Sequence, residues 1–477
     1  MSKSYHRRGG YRPLWVIAAL LILVAAGVVI WSRTSQTLGP LAPSADPQET
    51  GQAQTIAGTV ADATMNTLTL ETEAGAQYQF DTSDVQITAG ETGVLIGNPA
   101  AVTYHGTLIE ETNAEGVAVQ TGVKVLSVTV EDAAQSPAPT PSGAESPAEA
   151  LLAEMTLEEK VGQMFIARCP DTGAAEKAAE CHLGGYILFA RDFENHTPEQ
   201  AAQAIGSYQA AADIPLLIGV DEEGGTVNRI SRYPAYRDEP FPSPQELYAA
   251  GGLEAVRADT AEKCQLLKSL GVNVNFAPVC DVSTDPEDFI YPRSFGRDAE
   301  ETAEYVAAVV EEMNGEGMAC VLKHFPGYGN NEDTHTGIAH DGRSWDTFVT
   351  SDFLPFQAGI DAGAQMVLVS HNIVACMDPS APASLSPAVH EILREELGLD
   401  GVIVTDDLVM DGVRDFAGDE EIAVRAVLAG NDLLCCTDFE TQVPAVLAAV
   451  EDGTIPEARI DESVLRILEL KIELGLL

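Results

Sequence analysis

Eight short apolar runs, separated by amphipathic segments, fill the chain from about residue 149 to its end. Each run is apolar at consecutive positions, which is typical of strands buried on both faces of a parallel sheet. Eight strand-helix units in about 330 residues favour an α/β fold, a (β/α)8 barrel of the TIM type, over an open sheet. The predicted strands are Gln163–Ala167, Gly185–Phe189, Leu216–Val220, Val272–Ala277, Ala319–Leu322, Met366–Val369, Val402–Thr405 and Asp432–Cys435. The predicted helices include Pro198–Ala212, Leu253–Leu270, Glu300–Glu316, Ser386–Leu397 and Glu420–Ala429.

Reactive side chains follow most of these runs. The carboxyl ends of barrel strands converge on one mouth, where the active sites of such barrels lie. The sequence therefore predicts an active site at that mouth. The side chains concerned are Arg191, Asp221, Glu222, Glu223, Asp281, Lys323, His324, His371, Asp406 and Asp407.

The run that ends at Leu322 is followed by Lys323-His324 and, a few residues later, by Asp333-Thr334-His335. A carboxylate near an imidazole can hold one ring nitrogen while the other nitrogen exchanges a proton with a substrate. We interpret Asp333 and His335 as a candidate acid/base pair.

Three other segments add charge at the predicted mouth. Asp221-Glu222-Glu223 places three carboxylates after one strand, Asp406 follows another, and the fork of Arg293 suits contact with vicinal oxygens. Each alone could be a helix cap or a surface charge. Together they favour a hydroxyl-rich substrate and an acid/base mechanism that uses a carboxylate.

The amino terminus predicts a membrane anchor. An unbroken apolar stretch of 18 residues, Leu14–Trp31, follows a segment with four basic and no acidic residues. This length is close to the roughly 20 residues that span a bilayer, and the flanking charge predicts a cytoplasmic amino terminus. We assign residues 1–33 to a cytoplasmic tail and transmembrane anchor, with the rest of the chain outside the cytoplasm. A cleaved signal peptide is the alternative, since small residues occur within the stretch.

Between the anchor and the barrel the composition changes three times. Residues 34–53 predict a linker, and residues 54–132 contain short alternating runs that predict five or six strands of a small β domain. Residues 133–148 form a second, Pro/Ser-rich linker, so the catalytic barrel is placed at 149–477. The β domain holds no recognisable chemical motif, and we interpret it as a spacer or wall-contact module.

Composition excludes several classes of function. With 26 basic and 73 acidic residues the net charge is −47, which repels phosphate backbones and argues against nucleic acid as a partner. None of the 8 cysteines lies in a C-x-x-C pair, and no spacing predicts a metal site or a cofactor. Cys169 and Cys181 could form a disulfide in an oxidising compartment.

The segments IGVDEEGG, YPRSFG, LKHFPGYG, DTH and IVTDDLVM, in this order, resemble glycoside hydrolase family 3. The resemblance covers residues 147–477 and is closest to the single-catalytic-domain, β-N-acetylhexosaminidase branch. Two positions depart from the family pattern. Tyr328 and Asn330-Asn331 stand where a histidine and an acid are expected, and Glu222 stands where glutamine is commoner.

This resemblance implies roles for individual residues. It implies that Asp406 is a nucleophile that forms a covalent glycosyl intermediate, and that His335 is the general acid/base with Asp333 as its partner. It also implies that further residues bind the terminal sugar, namely Asp221, Arg293, Lys323, His324, His371 and Arg191. The mechanism needs no metal or cofactor.

The expected function is therefore that of a retaining β-N-acetylhexosaminidase in the bacterial cell membrane. It would bind saccharides that contain N-acetylglucosamine, and it would act in cell-wall turnover. Three alternatives remain open at this point: a family 3 β-glucosidase, a glycoside phosphorylase, and a non-catalytic wall-binding protein.

Overall fold

The computed structural model describes residues 54–63, 67–72, 76–82, 85, 87–89, 99–106, 108–109, 112, 117–120, 123–130, 146–331, 337–417 and 422–477. The predicted anchor, the first linker and most of the second linker lie outside these residues. Within them, no helix has both the length and the apolar character that a membrane span requires. The chain divides into two compact units, Met1–Gly143 and Ala144–Leu477.

The first unit contains one mixed sheet, ordered β4-β7-β5-β1-β2-β3-β6. The described part of this unit contains seven strands, one or two more than the five or six predicted. Alternate residues such as Leu68, Leu70, Phe80 and Val102 are fully buried in its core, as a period of two requires. The strands are β1 (Gln54–Ala63), β2 (Thr67–Glu71), β3 (Gln77–Asp81), β4 (Ile87–Ala89), β5 (Pro99–His105), β6 (Val117–Gln120) and β7 (Lys124–Val130).

The second unit is a nearly closed barrel of eight parallel strands, as the sequence predicts. The barrel order is β16-β14-β12-β11-β10-β9-β8-β17, and a parallel bridge between Val404 and Leu433 joins its two ends. A short pair, β13 with β15, lies outside the ring. The strands are β8 (Phe165–Arg168), β9 (Gly185–Leu188), β10 (Leu217–Val220), β11 (Val274–Asn275), β12 (Ala319–Phe325), β13 (His340–Asp341), β14 (Met366–Val369), β15 (Ile373–Val374), β16 (Val402–Thr405) and β17 (Leu434–Cys436).

Helices surround the barrel and follow the predicted pattern. The long helix α5 is capped by Ser243, whose hydroxyl accepts from the Glu246 amide, while the Glu246 carboxylate accepts from the Ser243 amide. The helix is kinked at Gly251 and Gly252, whose backbone angles are not helical. The helices are α1 (Pro147–Glu154), α2 (Leu157–Gln163), α3 (Ala174–Glu180), α4 (Pro198–Ala211), α5 (Pro244–Ser269), α6 (Ala299–Gly315), α7 (Trp345–Thr347), α8 (Phe353–Asp361), α9 (Pro387–Glu391), α10 (Asp411–Ala417), α11 (Ile422–Ala429), α12 (Phe439–Glu451) and α13 (Glu457–Glu473).

The interior of the barrel is filled by side chains. A Cβ atom at Gly219 in β10 would lie 2.5 Å from the ring of Phe276, so the glycine makes room for that ring. Phe276 is 1 % exposed and closes the barrel beneath the mouth.

Several boundaries differ from the prediction. The run Val272–Ala277 forms only a two-residue strand, because the Ala277 amide turns back to donate to Asn275 O at 2.8 Å and Pro278 after it has no amide to donate. The strand predicted at Ala319–Leu322 continues to Phe325, so Lys323 and His324 belong to the strand. The helix predicted at Ser386–Leu397 is short and passes into a π-helical turn at Ile392–Glu396.

All eight cysteines are free in this structure, so the disulfide considered between Cys169 and Cys181 is not formed here. Cys169 is buried beside strand β8, and burial raises the pKa of its thiol to about 12. Both thiols behave as small apolar side chains.

Candidate active site

A cavity of about 560 Å³ opens at the carboxyl ends of the barrel strands. Buried apolar side chains form its inner part, including Ile187 and Leu368 from two strands and Phe276, which directly follows strand β11. Charged side chains surround them, which gives an apolar floor beneath a polar wall. The charged lining residues are Arg168, Asp221, Arg229, Arg293, Lys323, His324, Asp406 and Asp407.

A network of two cations and two carboxylates occupies one side of the cavity. Lys323 Nζ lies 2.7 Å from Asp221 Oδ1 and 2.7 Å from Glu223 Oε1. Arg293 donates two hydrogen bonds to Glu223, of 3.0 and 2.8 Å. Burial opposes the ionisation of Glu223, but the charges of Arg293 and Lys323 outweigh it and lower the pKa of that carboxyl. The network therefore fixes charged groups where substrate hydroxyls can reach them.

The three consecutive carboxylates after β10 have three different roles. Asp221 lines the cavity, and Glu223 holds Arg293 and Lys323 from behind. Glu222 is fully buried and turned away, accepting hydrogen bonds from the amides of residues 229–231 and from the Ser231 hydroxyl. The glutamate at this position thus stabilises a loop.

His324 is held by a second set of contacts. Its Nδ1 lies 2.7 Å from Asp281 Oδ2, and its Nε2 lies 3.1 Å from Arg293 Nη2. Asp281 also accepts from the Tyr328 amide at 2.7 Å. The register between β12 and β14 is irregular from Leu322 to Phe325, so the consecutive side chains Lys323 and His324 both line the cavity.

Asp406 follows strand β16 and lines the same cavity. Its amide donates to Val369 O at 3.1 Å, and its Oδ1 accepts from the Asp407 amide at 2.9 Å. Asp407 accepts from the hydroxyl and the amide of Thr437. Burial is the main cause of the raised pKa of Asp407, and the charge of Asp406 adds to it. The two neighbouring acids therefore have different surroundings.

The predicted pair Asp333 and His335 lies outside the described residues, but both flanks of its loop are described. Asn331 donates to Asp341 Oδ2 at 2.6 Å, and Arg343 binds Asp341 and Asp352. Arg343 also donates to Gly327 O at 2.9 Å. Burial raises the pKa of Asp352 to about 6, although Arg343 opposes the rise.

Two of the predicted sugar-binding residues do not line the cavity. Arg191 pairs with Asp171 at 2.5 Å and donates to Cys169 O, so it is held by the segment that follows strand β8 and does not line the cavity. His371 is fully buried between Ser384 Oγ, 2.7 Å from Nδ1, and Asp407 O, 3.1 Å from Nε2. Its position supports the Asp406-Asp407 turn from below.

Two arginines of the cavity were not among the predicted site residues. Arg168 ends strand β8, one residue after the predicted end of that run. Arg229 lies in the loop after the three carboxylates, with Nη2 3.5 Å from Asp221 Oδ2. The sequence could have identified Arg168 as a site residue, because it is a basic residue that directly follows an apolar run.

A group with metal-ligand spacing lies elsewhere. Among the described histidine, cysteine and acidic side chains, Glu159, His182 and Asp213 place one ligand atom each within 4.8 Å of one another. They precede strands β8, β9 and β10, at the end of the barrel opposite the mouth.

Comparison with known proteins identifies the family of this chain. The "Glycosyl hydrolase family 3 N terminal domain" model matches residues 156–470. A "Beta-hexosaminidase" of Nitrosomonas eutropha is 35% identical over 262 residues, which is 54% of this chain and 74% of that protein. "Beta-hexosaminidase LpqI" of Mycobacterium tuberculosis is 31% identical over 346 residues, 70% of this chain and 87% of its own length.

A solved structure gives the same result. The structure of a glycoside hydrolase family 3 beta-N-acetylglucosaminidase from Paenibacillus sp. superposes with a TM-score of 0.63 at 36% identity. The match covers 68% of this chain and 63% of the Paenibacillus chain. The chain described here therefore belongs to glycosyl hydrolase family 3 and is an enzyme of the glycosidase class.

Proposed function

We propose that the protein is a retaining β-N-acetylhexosaminidase that removes terminal N-acetylglucosamine. The observation that supports this most directly is that Asp406, Asp221, Lys323 and His324 line one cavity at the barrel mouth. The names of the relatives support the sugar preference, since two are β-hexosaminidases and one solved neighbour is a β-N-acetylglucosaminidase.

In the proposed mechanism Asp406 attacks the anomeric carbon and forms a glycosyl ester, while His335 protonates the departing oxygen. His335 then removes a proton from water, which cleaves the ester and restores the configuration. Asp333 orients the imidazole of His335. The oxocarbenium-like transition state is stabilised by the Asp406 carboxylate.

The charged network positions the sugar in this mechanism. Asp221 offers acceptor oxygens to ring hydroxyls, and Lys323 and Arg293 offer donors, while Glu223 holds both cations in place. Because these groups are fixed before substrate arrives, binding requires little reorganisation.

We further propose that the enzyme acts outside the cytoplasm of a bacterial cell, anchored by residues 14–31, on cell-wall saccharides. The basis is the apolar stretch and its flanking charges. Fractionation of the full chain tests this. We expect it in the membrane pellet after a high-salt wash, whereas recovery of a soluble chain that lacks its first thirty residues would exclude the anchor.

A substrate comparison tests the proposed activity. We expect the protein to release nitrophenol from the N-acetyl-β-glucosaminide much faster than from the β-glucoside. The reverse preference would favour the β-glucosidase alternative.

A leaving-group comparison tests the acid/base role. His335→Ala should lose most of its activity on a substrate with an alkyl leaving group, and far less on a dinitrophenyl glycoside, whose leaving group needs little protonation. An equal loss on both substrates would exclude His335 as the acid.

A further inference from the structure

Arg168 differs from the other cations of the cavity. Arg229, Arg293 and Lys323 each lie within 3.5 Å of a carboxylate oxygen. Arg168 forms no ion pair with any residue in the described part of the chain, and its buried Nε atom has no hydrogen-bond partner there. Its charge is therefore not compensated by the cavity wall.

The position of Arg168 is defined by an aromatic ring. Its guanidinium carbon lies 4.6 Å from the centroid of Phe189, and that of Arg229 lies 5.5 Å from the same centroid. The Nε atom of Arg229 is also buried without a partner in the described residues. Two guanidinium groups thus share one ring on the wall of the cavity.

Asp192 is an acid whose pKa Arg168 affects, but its carboxylate is held by other groups. Burial raises the pKa of Asp192, and the charges of Arg191 and Arg168 offset part of that rise. Its carboxylate accepts from the Phe189 amide at 2.7 Å and lies 3.7 Å from Arg191 Nε. Asp192 therefore does not occupy the donors of Arg168.

We propose that Arg168, with Arg229 beside it, forms a subsite for an oxyanion within the substrate cavity. A partly buried guanidinium without a counter-charge is unfavourable, and a carboxylate or phosphate supplies both the charge and two acceptor oxygens that match its fork. The inference rests on the proposed function, because it concerns what the same cavity recognises besides the terminal sugar.

Two sources share this chemistry. The first is a carboxylate on the sugar that follows the cleaved bond. The second is free inorganic phosphate acting in place of water. In that case a phosphate oxygen forms the bond to the anomeric carbon as the ester bond to Asp406 breaks, and the carboxylate leaves with the bonding electron pair. The product is a sugar 1-phosphate.

The experiment compares two disaccharides that share N-acetylglucosamine as the terminal sugar. In one, the second sugar carries a 3-O-lactyl carboxylate; the other is its methyl ester. For a carboxylate source, we expect wild type to prefer the acid over the ester by at least about tenfold in kcat/KM, and Arg168→Gln to bring this ratio close to one. Arg168→Lys, which keeps the charge but loses the fork, should restore part of the preference.

The second arm adds inorganic phosphate and follows sugar 1-phosphate by phosphorus NMR. For a phosphate source, wild type forms this product and Arg168→Gln forms at least about tenfold less. Arg232→Gln is the matched control, since Arg232 also lies over an aromatic ring, that of Tyr233, but is exposed and does not line the cavity.

If Arg168→Gln folds normally and changes neither the acid-to-ester ratio nor 1-phosphate formation, the oxyanion subsite is excluded. That result would leave the proposed function untouched, because wild type would still hydrolyse the neutral chromogenic N-acetylglucosaminide. Failure of wild type to cleave any N-acetylglucosaminide would instead overturn the proposed function itself.

Discussion

Two buried lysines lie at opposite ends of the barrel, in contrasting surroundings. Lys323, at the mouth, is 2 % exposed and contacts the carboxylates of Asp221 and Glu223 at 2.7 Å. Lys471, at the other end, is 0 % exposed and contacts only the amide oxygen of Gln163, at 2.6 Å, in the described chain. Burial lowers the pKa of Lys471 to about 7.

This contrast separates two uses of charge. At the mouth, Lys323 and Arg293 are paired with acids and held where a substrate can contact them. At the opposite end, a lysine is buried for packing and tends toward its neutral form, because no acid in the described chain pairs with it. Substitutions at the mouth should therefore affect activity most, and substitutions at the other end should affect stability most.

The largest effect is expected from Asp406→Asn. Loss of a nucleophilic carboxylate should lower kcat/KM for the N-acetylglucosaminide by about three to six powers of ten, with little change in the melting temperature. Asp400→Asn is the matched control, because Asp400 precedes the same strand at its other end and is exposed. Similar rates for the two variants would contradict the mouth as the catalytic end.

Lys323→Met should lower both the stability and the activity of the protein. It leaves two carboxylates of the mouth without a shared cation, which costs about 3–5 kcal/mol in the free energy of unfolding, and it removes a donor to the sugar. We expect an activity loss of about a hundredfold or more. Denaturant unfolding and kcat/KM are the measurements, with the exposed Lys268→Met as control. An unchanged free energy of unfolding would show that the pairs contribute nothing.

Lys471→Met should change stability and its pH dependence, and leave activity alone. Between pH 7 and the unfolded pKa of about 10.4, the unfolded lysine binds more protons than the folded one, so the wild-type free energy of unfolding rises with pH. The variant lacks this rise, which is about 1.4 kcal/mol per pH unit.

The advantage of Lys471→Met over wild type should therefore be largest at and below pH 7, and shrink toward pH 10. The unpaired oxygen of Gln163 offsets part of it. Denaturant unfolding of both proteins between pH 6 and 9 measures the difference. Parallel curves would mean that Lys471 does not change its proton occupancy on folding.

The smallest effect is expected from Arg191→Gln. Its ion pair with Asp171 is partly exposed and lies away from the cavity, so the free energy of unfolding should fall by less than about 1 kcal/mol. The value of kcat/KM should change by no more than about twofold. A tenfold loss would place Arg191 in the substrate site, as the sequence prediction had it.

The sequence predicted the barrel because each strand is apolar on both faces, and it predicted the convergence of Asp221, Lys323 and Asp406 because parallel strands end at one mouth. It could not assign the three acids after β10. Which of them faces the cavity depends on the turn that buries Glu222 under the amides of the loop.

The sequence also could not predict the directions of side chains beyond the strand ends. Arg191 lies in a one-turn helix after β9, and only the three-dimensional structure shows that it pairs with Asp171 and does not line the cavity. Arg168 was missed because the predicted strand stopped one residue early. His371 satisfies both ring nitrogens inside the protein, which no spacing in the sequence reveals.

The ring of Phe276 against Gly219 has a consequence for how substrate and product exchange. Since the barrel is filled at that depth, nothing can pass through it, so the substrate and both products must use the same opening. The released sugar should therefore compete with the substrate for that opening, and adding free sugar should slow the reaction.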